Sequence, residues 1–319
     1  FGGAPLAAQG KAHGYADFRL RDTLVVDGQR IVAGRKVKVK GAADLAAIPV
    51  GWEVKVDGKR AAQGYIEASK VEARKNGTEK GEAEIKAASD QAEQAWVAKG
   101  MMYQPAEDGS VLKIGDILES GPYVQRARRI MDRLRPEQVP ASALRVRVVR
   151  TKEWNASAMA NGAIWVYTGL MDAMDDDELA IVLGHELAHY TYEHSRRNVS
   201  KGGLGQILGV GAEIAGAVIG GTGGAIAQLG GQLGASALLS GYSREFEDQA
   251  DRVGLRYVHE AGYDVRKGPG LWTKFKEKYG EEDKLSNFFA GDHSRPTERI
   301  GHIKDEIRWN YPDTPAASE

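Results

Sequence analysis

The sequence predicts an α+β chain: a small OB-like β-barrel over residues 1–76, a helical linker over 77–120 and a mainly helical domain over 121–319. Three observations carry this reading. Short β-rich runs broken by Asp-Gly turns crowd the first 76 residues. From Gly121-Pro122 onward the pattern is mainly helical, with one strand pair around 144–150 and 162–168. The third is charge: 43 Lys plus Arg against 44 Asp plus Glu hides a split, with the first 76 residues summing to +6 and the remainder to −7. Such asymmetry suggests two units.

In chain order, 23–26 is β-rich, Asp27-Gly28 is a hairpin turn, and 29–33 follows. Residues 35–40 alternate basic side chains with Val, so one face is apolar and the other charged. Residues 52–56, a second turn at Asp57-Gly58, and 65–73 complete five or six strands, which a small closed or half-open barrel accommodates economically. Residues 79–99 are rich in Ala, Glu, Lys and Gln without Pro, which favours a solvated helix or helical linker. A β-like piece at 111–117 leads into the second domain.

Composition excludes several classes. With 319 residues and 42% hydrophobic side chains, wholesale disorder is ruled out. The absence of cysteine removes disulfide scaffolds, thiolate metal sites, cysteine nucleophiles and lipid attachment to cysteine in the chain as given. The chain starts at Phe1, so a processed start is expected, with any signal peptide outside the sequence.

The chemistry concentrates in Asp175-Asp176-Asp177-Glu178 followed by LAIVLGHELAHYTYEHSRR. The acidic run supplies an N-cap and favourable first-turn charges, and Leu179, Val182, Leu183 and Leu187 form the apolar stripe. His185 and His189 are four apart, so both imidazoles leave one helix face, a spacing zinc accepts without backbone distortion. Glu186, beside the first histidine, can reach a water rather than the metal. A third ligand is available from SREFEDQAD at 243–251, where Glu247 and Asp251 share a helix face. A His, His, Glu set leaves zinc an open position, as catalysis needs.

HELAH followed by SREFEDQAD resembles the M48 family of zinc metallopeptidases, which includes bacterial envelope quality-control proteases and CAAX-processing enzymes. Residues 123–134 resemble the family's leading helix, and Asn155-Ala156 with 162–170 its substrate-side strand. HSRPTERI at 293–300 resembles the late motif in which a histidine is followed directly by Pro; here Ser294 takes that place. The resemblance covers about 121–319 and leaves 1–76 outside. It implies a thermolysin-like (gluzincin) fold holding one Zn2+ per chain on His185, His189 and Glu247, with Glu186 as general base. Asp251 would buttress a ligand histidine or pair with Arg299. His293 would be either an oxyanion donor or a latch on the open metal position. Ala163, Ile164, Trp165, Val166 and Tyr167 would form a strand whose edge accepts extended substrate. The implied substrate is unfolded or misassembled polypeptide, and the implied location the periplasm or cell envelope. His194, His259, His302 and His13 are read as ordinary residues.

Between the two motifs, 202–241 holds 14 glycines, with Glu213 the only charge from Lys201 to Arg244. Its apolar stretches, 203–219 and 225–240, fall short of the roughly 20 residues of a spanning helix, which favours a helical hairpin or flap over a membrane hairpin. Peripheral contact with membrane or an envelope-protein partner stays open. Two other classes compete: a latent zinc protein acting as chaperone or adaptor, and a binding protein working through the basic barrel. Few aromatics (Phe18, Trp52, Tyr65) argue against nucleic acid as its partner.

Overall fold

The computed structural model describes residues 9–20, 23–61, 63–74, 82–105, 111–137, 139–195, 197, 242, 244–280 and 296–312. His293, Ser294 and the Gly-rich 202–241 insert lie outside the described residues. The chain divides into two compact units, 1–78 and 79–319.

The first unit is a closed five-stranded barrel of β1 (Gln9–Leu20), β2 (Thr23–Val26), β3 (Gln29–Lys40), β4 (Glu53–Arg60) and β5 (Ile66–Arg74), in the order β1-β2-β3-β5-β4. β1 closes the cylinder on β4, and β3 runs parallel to β5. Inward aliphatic side chains of Leu24, Ile31, Val54, Val56, Ile66 and Val71 fill it, as alternation along half-buried strands requires. Asp27 and Gly28 both take positive φ, 45° and 70°, in the predicted hairpin turn. Asp57-Gly58 is not a turn. It lies inside β4 at a bulge against β5, where the carbonyl of Glu67 comes too close for any side chain at Gly58. The reversal falls instead at 61–65, where Gly64 has φ +81°. β1 carries no β-branched residue, so composition does not announce it as a strand.

In the second unit, α1 (Glu82–Lys99) leads to β6 (Met101–Pro105), β7 (Val111–Leu118) and α2 (Pro122–Leu134). Then come β8 (Arg145–Arg150), β9 (Ala156–Ala158), β10 (Ala163–Tyr167), α3 (Thr168–Ala173) and α4 (Asp176–Thr191). The remaining described helices are α5 (Arg244–Glu260), α6 (Gly268–Tyr279) and α7 (Pro296–Asn310). The five strands form one sheet, β6-β7-β8-β10-β9, with β8 and β10 parallel. One face (Val148, Ile164, Val166) packs with α2, α4 and α5 in the main core. The other face (Val149, Trp165, Tyr167) packs on Ala92 and Trp96 of α1.

α1, β6 and β7 are therefore part of the second unit, not a solvated linker. Trp96 meets Trp165 edge-on at 5.2 Å between ring centroids. Buried Glu93 on the same face receives Arg145, Arg147 and the Asn161 amide. Small residues, a tryptophan and a paired glutamate make up this buried face, and so the helix reads as polar.

β10 also departs from expectation. It has ladder partners on both sides, β8 and β9, and all five of its residues are buried. It presents no edge. The outer strand on that side is β9, which lies against α4.

Candidate metal centre

α4 begins with a reciprocal capping box: the Asp175 side chain accepts from the Glu178 N–H, and Glu178 accepts from that of Asp175. Every residue from Glu178 to His189 is buried, because β9, β10, α2 and α5 surround the helix. Its closest neighbour is α5. The two cross where Gly184 faces Gly254, and a Cβ on Gly254 would lie 2.7 Å from the His185 nitrogen. That close approach brings the acidic side chains of α5 to the histidines of α4.

His185 Nε2 lies 2.9 Å from His189 Nε2, 3.3 Å separates it from Glu247 Oε2, and His189 Nε2 is 3.4 Å from Glu247 Oε1. All three side chains are buried, and their ligand atoms lie within 4.8 Å of one another. Tetrahedral ligands about 2.0–2.1 Å from a metal sit about 3.3–3.4 Å apart, so this donor set fits one ion with small adjustment. Glu186 is buried in the same turn.

Behind the three donors stands a buried polar layer. His185 Nδ1 is 2.9 Å from Asp251 Oδ1, and Asp251 in turn receives Arg299 of α7 through Nε at 2.9 Å and Nη2 at 2.5 Å. Arg299 is fully buried, 3.5 Å over the Trp272 ring, and its Nη1 reaches Glu247 at 3.4 Å. Burial opposes the charge on Asp251, but Arg299 and His185 outweigh it and hold the carboxyl at about 2. Burial and Arg299 push His185 down, yet Asp251 and Glu247 prevail and the ring titrates at about 9 in the absence of metal.

One histidine set aside as ordinary is not. His194 is fully buried, with Nδ1 2.8 Å from Nδ1 of His189 and Nε2 2.9 Å from Gln249 Oε1. Burial, then His189 and Arg197, drive its basicity far down. Tyr242 stacks on His189 at 3.9 Å. Neither contact is legible from spacing: five residues from His189 is off the helix face, and Tyr242 sits beyond the insert. His13 and His302 are exposed and pair with Glu53 and Asp248, as surface histidines do.

The chain is similar to known proteins. The chain is 31% identical over 228 residues to metalloprotease LoiP of Escherichia coli (strain K12), covering 71% of this chain and 81% of the relative. Metalloprotease YcaL of the same organism is 31% identical over 194 residues, 59% of this chain and 72% of that one. A Vibrio cholerae protein named "Putative beta-barrel assembly-enhancing protease" is 27% identical over 176 residues, 52% of this chain and 34% of the relative. The family model described as Peptidase family M48 matches residues 123–307, a span that contains both histidines of α4 and the acids of α5 and covers more than half of the sequence. The chain belongs to peptidase family M48 and is a metalloendopeptidase.

Proposed function

We propose that the protein is a zinc-dependent endopeptidase acting on unfolded or misassembled polypeptides of the cell envelope. The observation that carries the reading is the convergence of two ring nitrogens and one carboxylate, all buried, with a glutamate next in the helix. His185, His189 and Glu247 hold one zinc ion per chain. When bound, zinc polarises the scissile carbonyl and acidifies a water molecule.

The remaining work falls to side chains. Glu186 accepts the proton of the attacking water on its carboxylate and returns it to the leaving amine nitrogen. Asp251 takes the Nδ1–H of His185, which turns Nε2 toward the metal, and Arg299 keeps Asp251 ionised. Extended substrate adds through main-chain hydrogen bonds to the sheet beside α4, a role that passes from β10 to the outer strand β9. We read the unit as a thermolysin-like fold.

The envelope reading is supported by the name of the Vibrio relative, which refers to β-barrel assembly. No helix among the described residues is long and apolar enough to cross a membrane. The barrel lies outside the family match and is read as a module for docking substrate or an envelope partner.

The test is cleavage of an unfolded polypeptide together with metal analysis. Glu186→Gln should keep about one zinc yet lose at least roughly a hundredfold in rate, whereas His185→Ala and Glu247→Ala should lose the metal. Full metal occupancy in both alanine variants refutes the ligand set. A zinc-loaded wild type that leaves the unfolded chain intact points to the latent, chaperone-like alternative.

A further inference from the structure

Past the end of α4 the chain makes an unusual move. Tyr192 caps the helix, and Glu193, a residue with a side chain, adopts φ +53°. Left-handed backbone at such a residue is uncommon and persists where surrounding structure demands it. Here it ends α4 and sets the next side chain, His194, against His189.

The hydrogen bonds around His194 have a determined polarity. A guanidinium can only donate, so the Gln249 atom that faces Arg197 Nη1 at 3.0 Å is its carbonyl oxygen. That oxygen accepts from His194 as well, so Nε2 of His194 carries the proton. The ring is fully buried and shares Gln249 with a cation, conditions that keep it neutral; its Nδ1 is then a lone pair. That lone pair faces His189 Nδ1 at 2.8 Å, so His189 is protonated on Nδ1 and bare on Nε2. Bare Nε2 is the atom that points at His185 and Glu247.

We propose that His194 is a positioning residue that locks His189 in the tautomer able to bind metal, through the relay Arg197, Gln249, His194, His189. The proposal rests on the reading of His189 as a ligand. It gives the two histidines of α4 different supports: an ionised carboxylate behind His185 and a neutral imidazole behind His189. The ring of His194 is clamped against Phe246, stacked at 4.6 Å and 9°. Its orientation therefore does not depend on the metal.

The test uses the full chain. His194→Phe keeps a flat ring on Phe246 but removes the acceptor; His194→Asn places a carboxamide oxygen close to where Nδ1 stood. Zinc affinity, measured against a chromophoric chelator, should fall about 10- to 100-fold in the Phe variant, and the Asn variant should recover most of it. Nitrogen-15 spectra of zinc-loaded wild type should show a proton on Nδ1 of His189 and on Nε2 of His194. Wild-type affinity in a folded Phe variant, an Asn variant as weak as Phe, or the opposite tautomer at His194 overturns the proposal. If the Phe variant does not fold, the Asn variant and the wild-type spectra still decide. Unchanged zinc binding in His189→Ala would instead remove the ligand reading itself.

Discussion

Gly254→Ala is the sharpest test of how α4 and α5 build the metal centre. The added Cβ would lie 2.7 Å from the His185 nitrogen and 2.9 Å from both the Gly184 carbonyl carbon and His185 Cα. All three are backbone atoms, so no side chain can swing aside. Ordinary contacts sit near 3.5 Å, and the helices must part by roughly 0.8 Å to restore them. Alanine gains about 1 kcal/mol of helix propensity over glycine, and overpacking costs about 1–3 kcal/mol. The balance is a net loss of up to about 2 kcal/mol, or up to about 8 °C in Tm for a unit of this size.

The effect on the site is larger than the effect on stability. Glu247 and Asp251 ride on α5, whereas His185 and His189 ride on α4. Metal–ligand distances tolerate about 0.2 Å, so this separation should weaken zinc binding by at least about tenfold, as losing a ligand's support does. Gly301→Ala is the control, since nothing lies within 4 Å of its Cβ position on α7; it should raise Tm slightly and leave zinc affinity alone. Calorimetry and chelator competition on both variants give the answer. If Gly254→Ala is as stable as the control and binds zinc like wild type, the close crossing does not set the ligand geometry.

Two further predictions concern α1. Trp96→Ala should cost about 3–5 kcal/mol, as removal of a buried aromatic does, and a urea midpoint unchanged from wild type would mean that the helix is not packed on the sheet. Burial opposes ionisation of Glu93, but Arg145 and Arg147 prevail and lower its pKa below 4.5. A depressed carboxyl contributes stability above its unfolded value, lost as pH falls through the folded one. Glu93→Gln should therefore flatten the decline of stability below about pH 4.5; an unchanged acid limb in urea melts across that range refutes the pairing.

His185, His189, Glu247 and Asp251 could be read from sequence because a four-residue spacing places each pair on one helix face whatever surrounds it. What could not be read depends on partners distant in sequence. Asp27-Gly28 and Asp57-Gly58 are the same dipeptide, yet one is a turn and the other a bulge, decided by the pairing of β4 with β5. Glu93 looks like a surface residue until Arg145 and Arg147 arrive from more than 50 positions away. An apolar run such as β10 reads alike at the edge of a sheet or in its middle; only the topology tells them apart. His194 is hidden for a local reason, the left-handed turn at Glu193, which no residue type there announces.

The buried charges predict a conflict between activity and stability. Glu186, Glu247 and Asp251 are all buried within reach of the fully buried Arg299, while Arg197 is directed to Gln249 and the Tyr192 carbonyl. Three carboxylates gathered in one buried place repel one another; Arg299, and the proton that His185 holds up to about 9 in the absence of metal, offset part of that repulsion. A divalent cation balances the set. Without it, the three carboxylates crowd one buried place, which is costly. Glu186→Gln removes one such charge at nearly constant shape, so in a chelator the variant should be more stable than wild type by about 1 kcal/mol or more, a rise of at least about 2–4 °C. With zinc bound the advantage should shrink or reverse, because the cation then has one fewer carboxylate to balance it. Calorimetry of both proteins, chelated and zinc-loaded, measures the difference. A variant that melts no higher than wild type in chelator would show that Glu186 is already compensated, and that the general base is retained at no cost to the fold.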